Sequence, residues 1–425
     1  MKFTFVHAAD LHLDSPFRGL TAAAGETSPL ADRLLSATFD AFDALVELCL
    51  ARRAAFLVVA GDIYDSSDRS LRAQLRFRDG LEKLGRHGVQ CFVAHGNHDA
   101  LDSRSPAVTP PPNTHVFGGD EVETFPVEQD GQVLATVSGI SYRTRHERRP
   151  LQKLFAKSAT AGYRVAVLHC NAGGNPDHEP YVPCEVRELA AAGYDYWALG
   201  HVHEWKILER TPLIAYSGNT QGRSVRETGE RGCLVVEVDT ERRERTEVEF
   251  HPLAAVRWEL SECEVAGLES FDALDARLQK HVEELRDKCG GKPLLCRLTL
   301  AGRTALAHEL RQPAIRNDLL ARLRAAFPWR SAQPVWVESL GSQCRLPADR
   351  VGIADRSDFL GEIARIGEAW RRMPDAAAQV RPLIADLEEH ARSRQALPGL
   401  DDGELARLVE AAVDECLDRF EEAEP

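Results

Sequence analysis

A chain of 425 residues is longer than one ordinary domain needs, so two or three domains are expected. Its 44% hydrophobic content is that of a globular protein with a sizeable core, and no apolar run reaches membrane-spanning length. The net charge of −14 argues against a nucleic-acid partner in bulk only: the last 25 residues carry ten acids against two arginines, leaving −6 over the other 400.

The N-terminal stretch MKFTFVHAADLHLD has a short apolar patch before His7 and Asp10 and reads as a first strand, not a signal peptide. A cytoplasmic protein is expected. Ten cysteines are scattered with no C-x-x-C pair, which disfavours thiolate metal sites and a disulfide framework; Cys170 and Cys184 read as buried small hydrophobes. Strand-like runs then recur: FTFVHA, FLVVAG, VQCFVAHG, VAVLHC, YWALG and CLVVEV. Helical patterns such as ADRLLSATFDAFDALVELCLARR and SLRAQLRFRDGLEKLG fall between several of them, and residues 120–142 read as consecutive strands. Continuous apolar strands imply sheets covered on both faces, hence an α/β domain with mixed sheets over residues 1–250. Residues 251–342 read as a small β-α-β-α-β unit, its first helix carrying Phe271, Leu274, Leu278, Val282 and Leu285 on one face.

Residues 343–425 read as helical. Three stripes are expected: Phe359, Ile363, Ile366 and Trp370; Val380, Ile384, Leu387 and Ala391; and Leu405, Leu408, Ala412, Cys416 and Phe420. Asp401 and Glu404 have the spacing of a capping box at the start of the last helix.

Five strand-like runs end in residues that ligate metals. Asp10 and His12 follow the first, Asp62 follows FLVVAG, Asn97 follows CFVAHG, His169 ends VAVLH, and His201 and His203 follow YWALG. In open α/β sheets that edge is where ligand sites lie. Gly61, Gly96 and Gly200 immediately precede Asp62, Asn97 and His201, allowing a sharp turn or a close backbone approach. The i,i+2 pairs Asp10/His12 and His201/His203 can each face one side of an extended chain. Two aspartates, one asparagine and four histidines, without sulfur, suit Mn, Fe, Zn or similar divalent ions. Seven ligands are too many for one ion and suffice for two if a carboxylate bridges. Such a pair can clamp a phosphoryl group and generate its nucleophile.

The ordered set DLH, GDIYD, GNHD, H and GHVH resembles the calcineurin-like metallophosphoesterase superfamily over roughly residues 1–250. The resemblance implies a four-layer α/β/β/α sandwich with a dinuclear metal centre, Mn²⁺ being the expected ion and Fe, Zn or Mg the alternatives. It implies one metal on Asp10, His12, Asp62 and His203, and another on Asp62, Asn97, His169 and His201. His98 matches the family's catalytic histidine; Asp99 either orients it or is a solvated turn residue. His95, before GNHD, is either a supporting group or a polar strand end.

Within the superfamily, HAADLHLDSPFRGL and YSGNTQGRSVRETGERG are most similar to the SbcD-like DNA-repair exonucleases, in particular their YhaO-like bacterial branch. That implies a nuclease domain, a small α+β capping domain and C-terminal helices that dock on a coiled-coil ABC-type ATPase of the SbcC kind. The expected partners are thus DNA, that ATPase and a second copy of the chain, with no membrane. Arg18, Arg223 and Arg226 lie in the branch motifs, and Arg143 and Arg145 belong to the basic strip YRTRHERRPLQK; these are the candidate substrate contacts. The serine/threonine phosphatases of the superfamily read GDxxDRG. Here Ser66 follows Asp65 and Arg69 is displaced, which lowers the phosphoprotein reading. A DNA exonuclease or endonuclease is therefore expected. The alternatives are a small-molecule or phosphoprotein phosphoesterase, and a DNA-end-binding scaffold with little catalysis.

Overall fold

A computed structural model describes residues 1–15, 17, 29–65, 70–102, 108–129, 131–155, 162–174, 179, 181–329, 331–347, 350–373, 375–389 and 401–421. Readings that fall on Arg18, Ser66, Arg69 and Ala391 lie outside these residues. The described chain divides into two compact units, residues 1–261, 280–298 and 322–339 in one and 262–279, 299–321 and 340–425 in the other.

The first unit is built on two six-stranded mixed sheets. Strands β1 (Lys2–Ala8), β2 (Phe56–Ala60), β3 (Gln90–Ala94) and β4 (Thr114–Val116) run parallel. Strands β11 (Gly232–Asp239) and β12 (Glu247–Pro252) add antiparallel beside β1, giving the order β12-β11-β1-β2-β3-β4. The second sheet contains β5 (Glu123–Gln129), β6 (Gln132–Gly139), β7 (Tyr163–His169), β8 (Tyr196–Gly200), β9 (Lys206–Arg210) and β10 (Leu213–Tyr216). Its order is β5-β6-β7-β8-β10-β9, with a parallel centre and antiparallel edges.

The reason for this architecture is legible in burial. All five residues of β2 (FLVVA) and of β8 (YWALG) are buried, as expected of strands covered on both faces. Phe5, Phe56, Val58 and Phe92 of the first sheet share one core with Val137, Val165, Tyr196 and Ala198 of the second. The outer face of the first sheet, including Val6, Leu57 and Val59, packs with Phe42 and Leu45 of α1 (Pro29–Ala51) and Phe77 and Leu81 of α2 (Leu71–Arg86). Helix α2 starts where Ser70 Oγ accepts the Ala73 N–H at 3.0 Å, and buries Ala73, Phe77, Leu81 and Leu84 on one face. The outer face of the second sheet packs Trp197 and Ile214 with Leu189 of α3 (Val186–Ala191). The layers are thus helix, sheet, sheet, helix, as the resemblance implies.

Beyond residue 252 come β13 (Arg257–Glu264), α4 (Phe271–Asp287), β14 (Leu294–Ala301), α5 (Ala307–Arg311), α6 (Pro313–Ala326) and β15 (Val335–Ser342). The strands form a three-stranded sheet in the order β13-β14-β15. Leu274, Leu278 and Val282 of α4 are fully buried, while Phe271 at the helix start is exposed.

Among the described residues the helices that follow are α7 (Arg350–Ala354), α8 (Phe359–Arg372), α9 (Ala376–Glu389) and α10 (Asp402–Glu421). The capping box forms as read: Glu404 N–H donates to Asp401 Oδ1 and Asp401 N–H to Glu404 Oε2, both at 2.8 Å. Two of the expected stripes are displaced. The buried face of α8 carries Leu360 and Ala364, while Phe359 and Ile366 are exposed. On α10, Leu405 and Leu417 are buried and Val413 packs with Leu417, whereas Leu408 and Phe420 are exposed. An i,i+4 row replaces the i,i+3 step from 405 to 408, because packing against Ile353 and Leu360 selects among rows that a helix offers equally.

Candidate metal centre

The seven candidate ligands lie at or just beyond the C-terminal ends of β1, β2, β3, β7 and β8. Glycine does less of the turning than its placement implies. Gly61 has φ +95°, but Asp10, His12, Asp62 and His201 themselves adopt positive φ of 52°, 43°, 51° and 98°. Gly96 and Gly200 serve by their missing side chains instead. A Cβ on Gly96 would run into the Asp62 carboxylate and the His169 ring, and one on Gly200 into the Ala60 carbonyl.

These backbone turns aim the ligands at one another. Ligand atoms of Asp10, His12 and His203 lie within 4.8 Å of each other, as do those of Asp10, Asp62 and His169. His12 Nε2 and His203 Nε2 are 3.3 Å apart. Asp62 Oδ2 is 3.9 Å from His12 Nε2 and 3.5 Å from His169 Nε2, so one carboxylate oxygen borders both groups. Asn97 Oδ1 lies 3.0 Å from His169 Nε2. The His201 ring lies 5.2 Å, centroid to centroid, from that of His169.

Hydrogen bonds decide which nitrogen each imidazole offers. His169 Nδ1–H donates to the Ala60 carbonyl at 2.9 Å, leaving Nε2 toward Asn97 and Asp62. His201 Nε2–H donates to the Glu179 carbonyl at 2.8 Å, which makes Nδ1 the nitrogen that can ligate. His203 Nδ1–H donates to Glu227 Oε1 at 2.6 Å, leaving Nε2 toward His12. Asp10 accepts the His201 backbone N–H at 3.1 Å.

The electrostatics suit cations. Burial, then Asp62, pushes the Asp10 pKa well above the carboxylate range, and burial raises that of Asp62 as well. Burial lowers His169 to about 4 and, with Arg223 and His203, depresses His12, so both imidazoles are neutral near pH 7 with lone pairs available. Two buried carboxylates, neutral imidazoles and no sulfur form a donor set that fits divalent metals.

His98 borders this cluster: its ring is 5.0 Å from that of His12, its backbone N–H donates to Asp62 Oδ1 at 2.9 Å, and its Nδ1–H donates to the Asp65 carbonyl at 2.7 Å. Asp99 is fully buried and braces the backbone around the ligands. It accepts the Gly96 and Ile63 N–H groups at 2.8 and 2.9 Å and lies 3.0 Å from His95 Nδ1. His95 therefore stands behind the site as Asp99's partner.

Among the candidate substrate contacts, Arg223 reaches the cluster, but as a tie to carboxylates: Nη1 donates to Asp65 Oδ1 at 2.5 Å and Nη2 to Glu227 Oε1 at 3.4 Å. Arg226 is exposed. Arg143 is exposed and pairs with Asp120 at 3.0 Å; Arg145 is exposed in the same strip. Sequence reasoning missed Glu227. It sits four residues after Arg223 in the motif read for its arginines, and nothing local marks its partner 24 residues upstream.

The described residues include no helix long and apolar enough to cross a membrane. In comparison with known proteins, a family model for calcineurin-like phosphoesterases matches residues 3–205, and one for the middle domain of the metallophosphoesterase YhaO matches residues 258–345. An uncharacterized metallophosphoesterase YhaO of Bacillus subtilis is 33% identical over 300 residues, 70% of this chain and 72% of the relative. A DNA double-strand break repair protein Mre11 of Thermoplasma acidophilum is 27% identical, covering 52% of this chain and 57% of its own. The D component of the nuclease SbcCD of Bacillus subtilis is 24% identical, covering 53% and 63% respectively.

Proposed function

The chain belongs to the calcineurin-like metallophosphoesterases, a family of phosphoester hydrolases, and from that premise we propose that it is a dinuclear, Mn²⁺-dependent DNA nuclease subunit. The observation that carries the metal reading is the position of Asp62. One of its oxygens borders an imidazole nitrogen from each of two ligand groups. On this reading Asp10, His12, Asp62 and His203 hold one cation, and Asp62, Asn97, His169 and His201 the other. When bound, such a pair neutralises charge on a phosphoryl group and activates its nucleophile.

The chain's own residues do the rest. His98 has Nδ1 committed to the Asp65 carbonyl, so Nε2 is the atom left to stabilise or protonate the departing oxygen. Asp99 holds the turns that carry Asp62 and Asn97 by binding the Ile63 and Gly96 N–H groups. Arg143, Arg145 and Arg226 are exposed and suited to phosphate contacts along a strand.

DNA is favoured as substrate by the relatives named for break repair and for the SbcCD nuclease. The same reading divides the chain into a nuclease domain at 1–250, a capping domain at 251–342 and a helical region at 343–425. That helical region would dock a coiled-coil ATPase; Phe359 and Leu383 there are 62% and 74% exposed. The test is a substrate panel with Mn²⁺: linear DNA, a phosphodiester dye and a phosphomonoester dye. Turnover of DNA and the diester, lost in His98→Ala with metal binding kept, is expected. Turnover of the monoester alone rejects the nuclease reading, and binding of DNA ends without turnover in any divalent metal favours a scaffold.

A further inference from the structure

Behind His12 and His203 lie three charged side chains from distant parts of the chain: Asp65, Arg223 and Glu227. Glu227 Oε1 accepts the His203 Nδ1–H at 2.6 Å. The same carboxylate is held by Arg223, whose backbone N–H donates to Oε2 at 2.6 Å and whose Nη2 donates to Oε1 at 3.4 Å. Arg223 Nη1 also binds Asp65 Oδ1 at 2.5 Å and Ser15 Oγ at 3.1 Å. Asp65 Oδ1 in turn lies 3.4 Å from His12 Nδ1. The Arg223 and Glu227 side chains are only 15% and 13% exposed, so water competes weakly for these bonds.

A neutral imidazole carries one N–H and can turn about its last bond. A carboxylate on Nδ1 settles both variables: the proton stays on Nδ1, and the ring presents the Nε2 lone pair in one direction. Here that direction is toward His12 Nε2, 3.3 Å away. One guanidinium thus joins two carboxylates that back two imidazoles from different sheets.

We propose that Glu227, anchored by Arg223, is a positioning residue of the metal centre that fixes the tautomer and ring orientation of His203. Arg223 is accordingly part of the ligand scaffold and is not a substrate arm. The inference rests on the dinuclear-metal reading and adds an asymmetry to it: the ion shared by His12 and His203 depends on this support, while the ion at Asn97 and His169 does not. Loss of such a partner to a ligating histidine typically weakens metal binding by about 10–100-fold.

The test uses the full chain. In the metal-free protein, ¹⁵N NMR of the imidazoles should show His203 protonated on Nδ1, with the Nε2–H form appearing in Glu227→Leu, which leaves no acceptor for Nδ1–H. Calorimetric titration with Mn²⁺ should find two sites in the parent. In Glu227→Leu one site should weaken by about 10–100-fold with the other unchanged. Arg223→Gln, which frees Glu227 without removing it, should weaken the same site to a smaller degree, and it decides the matter if Glu227→Leu does not fold. Unchanged affinities and tautomer in the variants, or equal weakening of both sites, overturn the proposal. A parent that binds no Mn²⁺ at all overturns the dinuclear reading and this inference with it.

Discussion

His12 leaves the first sheet after β1 and His203 leaves the second after β8, yet their Nε2 atoms meet at 3.3 Å. Asp10 lies within the same group, buried, with its carboxyl held above the usual carboxylate range by burial and by Asp62. Such a cluster is costly without cations and favourable with them.

Asp62→Asn should therefore have opposite effects in two states. In EDTA the neutral side chain removes a buried charge, and the melting temperature should rise by a few degrees. With Mn²⁺ the parent should gain stability and the variant should gain much less. Paired melting curves check this; equal Mn²⁺ increments would mean that Asp62 does not ligate.

Gly96→Ala should leave the far-ultraviolet dichroism unchanged and weaken Mn²⁺ binding by about tenfold or more. The added methyl competes for the space of the Asp62 carboxylate and lies 2.8 Å from His169 Nε2, so the ligands must part. Titration calorimetry reads the loss, and parental affinity would show that the site yields elsewhere.

His7 provides a pH effect away from the ligands. It is fully buried, donates from Nε2 to the Leu199 carbonyl at 3.2 Å and accepts from Tyr196 Oη at 2.9 Å on Nδ1. Burial pushes its pKa from 6.5 down to about 3. A folded value below the unfolded one gives stability that is complete above 6.5 and is lost as pH falls toward 3, at about 1.4 kcal/mol per pH unit. His7→Gln should remove about 2 kcal/mol of the difference between roughly pH 7.5 and pH 5 in metal-free urea unfolding. Identical pH slopes in parent and variant would refute the assignment.

Nine of the ten cysteines are buried and Cys416 is exposed. A disulfide reagent should therefore react quickly with one thiol in the native chain and with ten after denaturation. Fast reaction of several native thiols would contradict the burial of the other nine.

The convergence of the candidate ligands was legible because their residue types are chemically restrictive and each follows an apolar run that only a buried strand explains. The mixed sheets and the capping box of Asp401 and Glu404 were legible for a similar reason, since both are local patterns. The face of α10 was not: rows through Leu408 and through Val413 are equally apolar, and only the packing partner chooses. Glu227 was illegible because its role depends on a contact with His203 across the fold. The turning of the backbone was only partly legible: of the three glycines Gly61 alone has positive φ, Gly96 and Gly200 permit the close approach that was read for them, and Asp10, His12, Asp62 and His201 take positive φ themselves.

That last feature bears on protein engineering. Non-glycine residues enter left-handed backbone at a penalty of about 1 kcal/mol or more each, and Asp10, His12, Asp62 and His201 all do so. A redesign that optimises thermal tolerance position by position favours glycine or asparagine at these four, and on the dinuclear reading such a molecule would be hardier but stripped of metal.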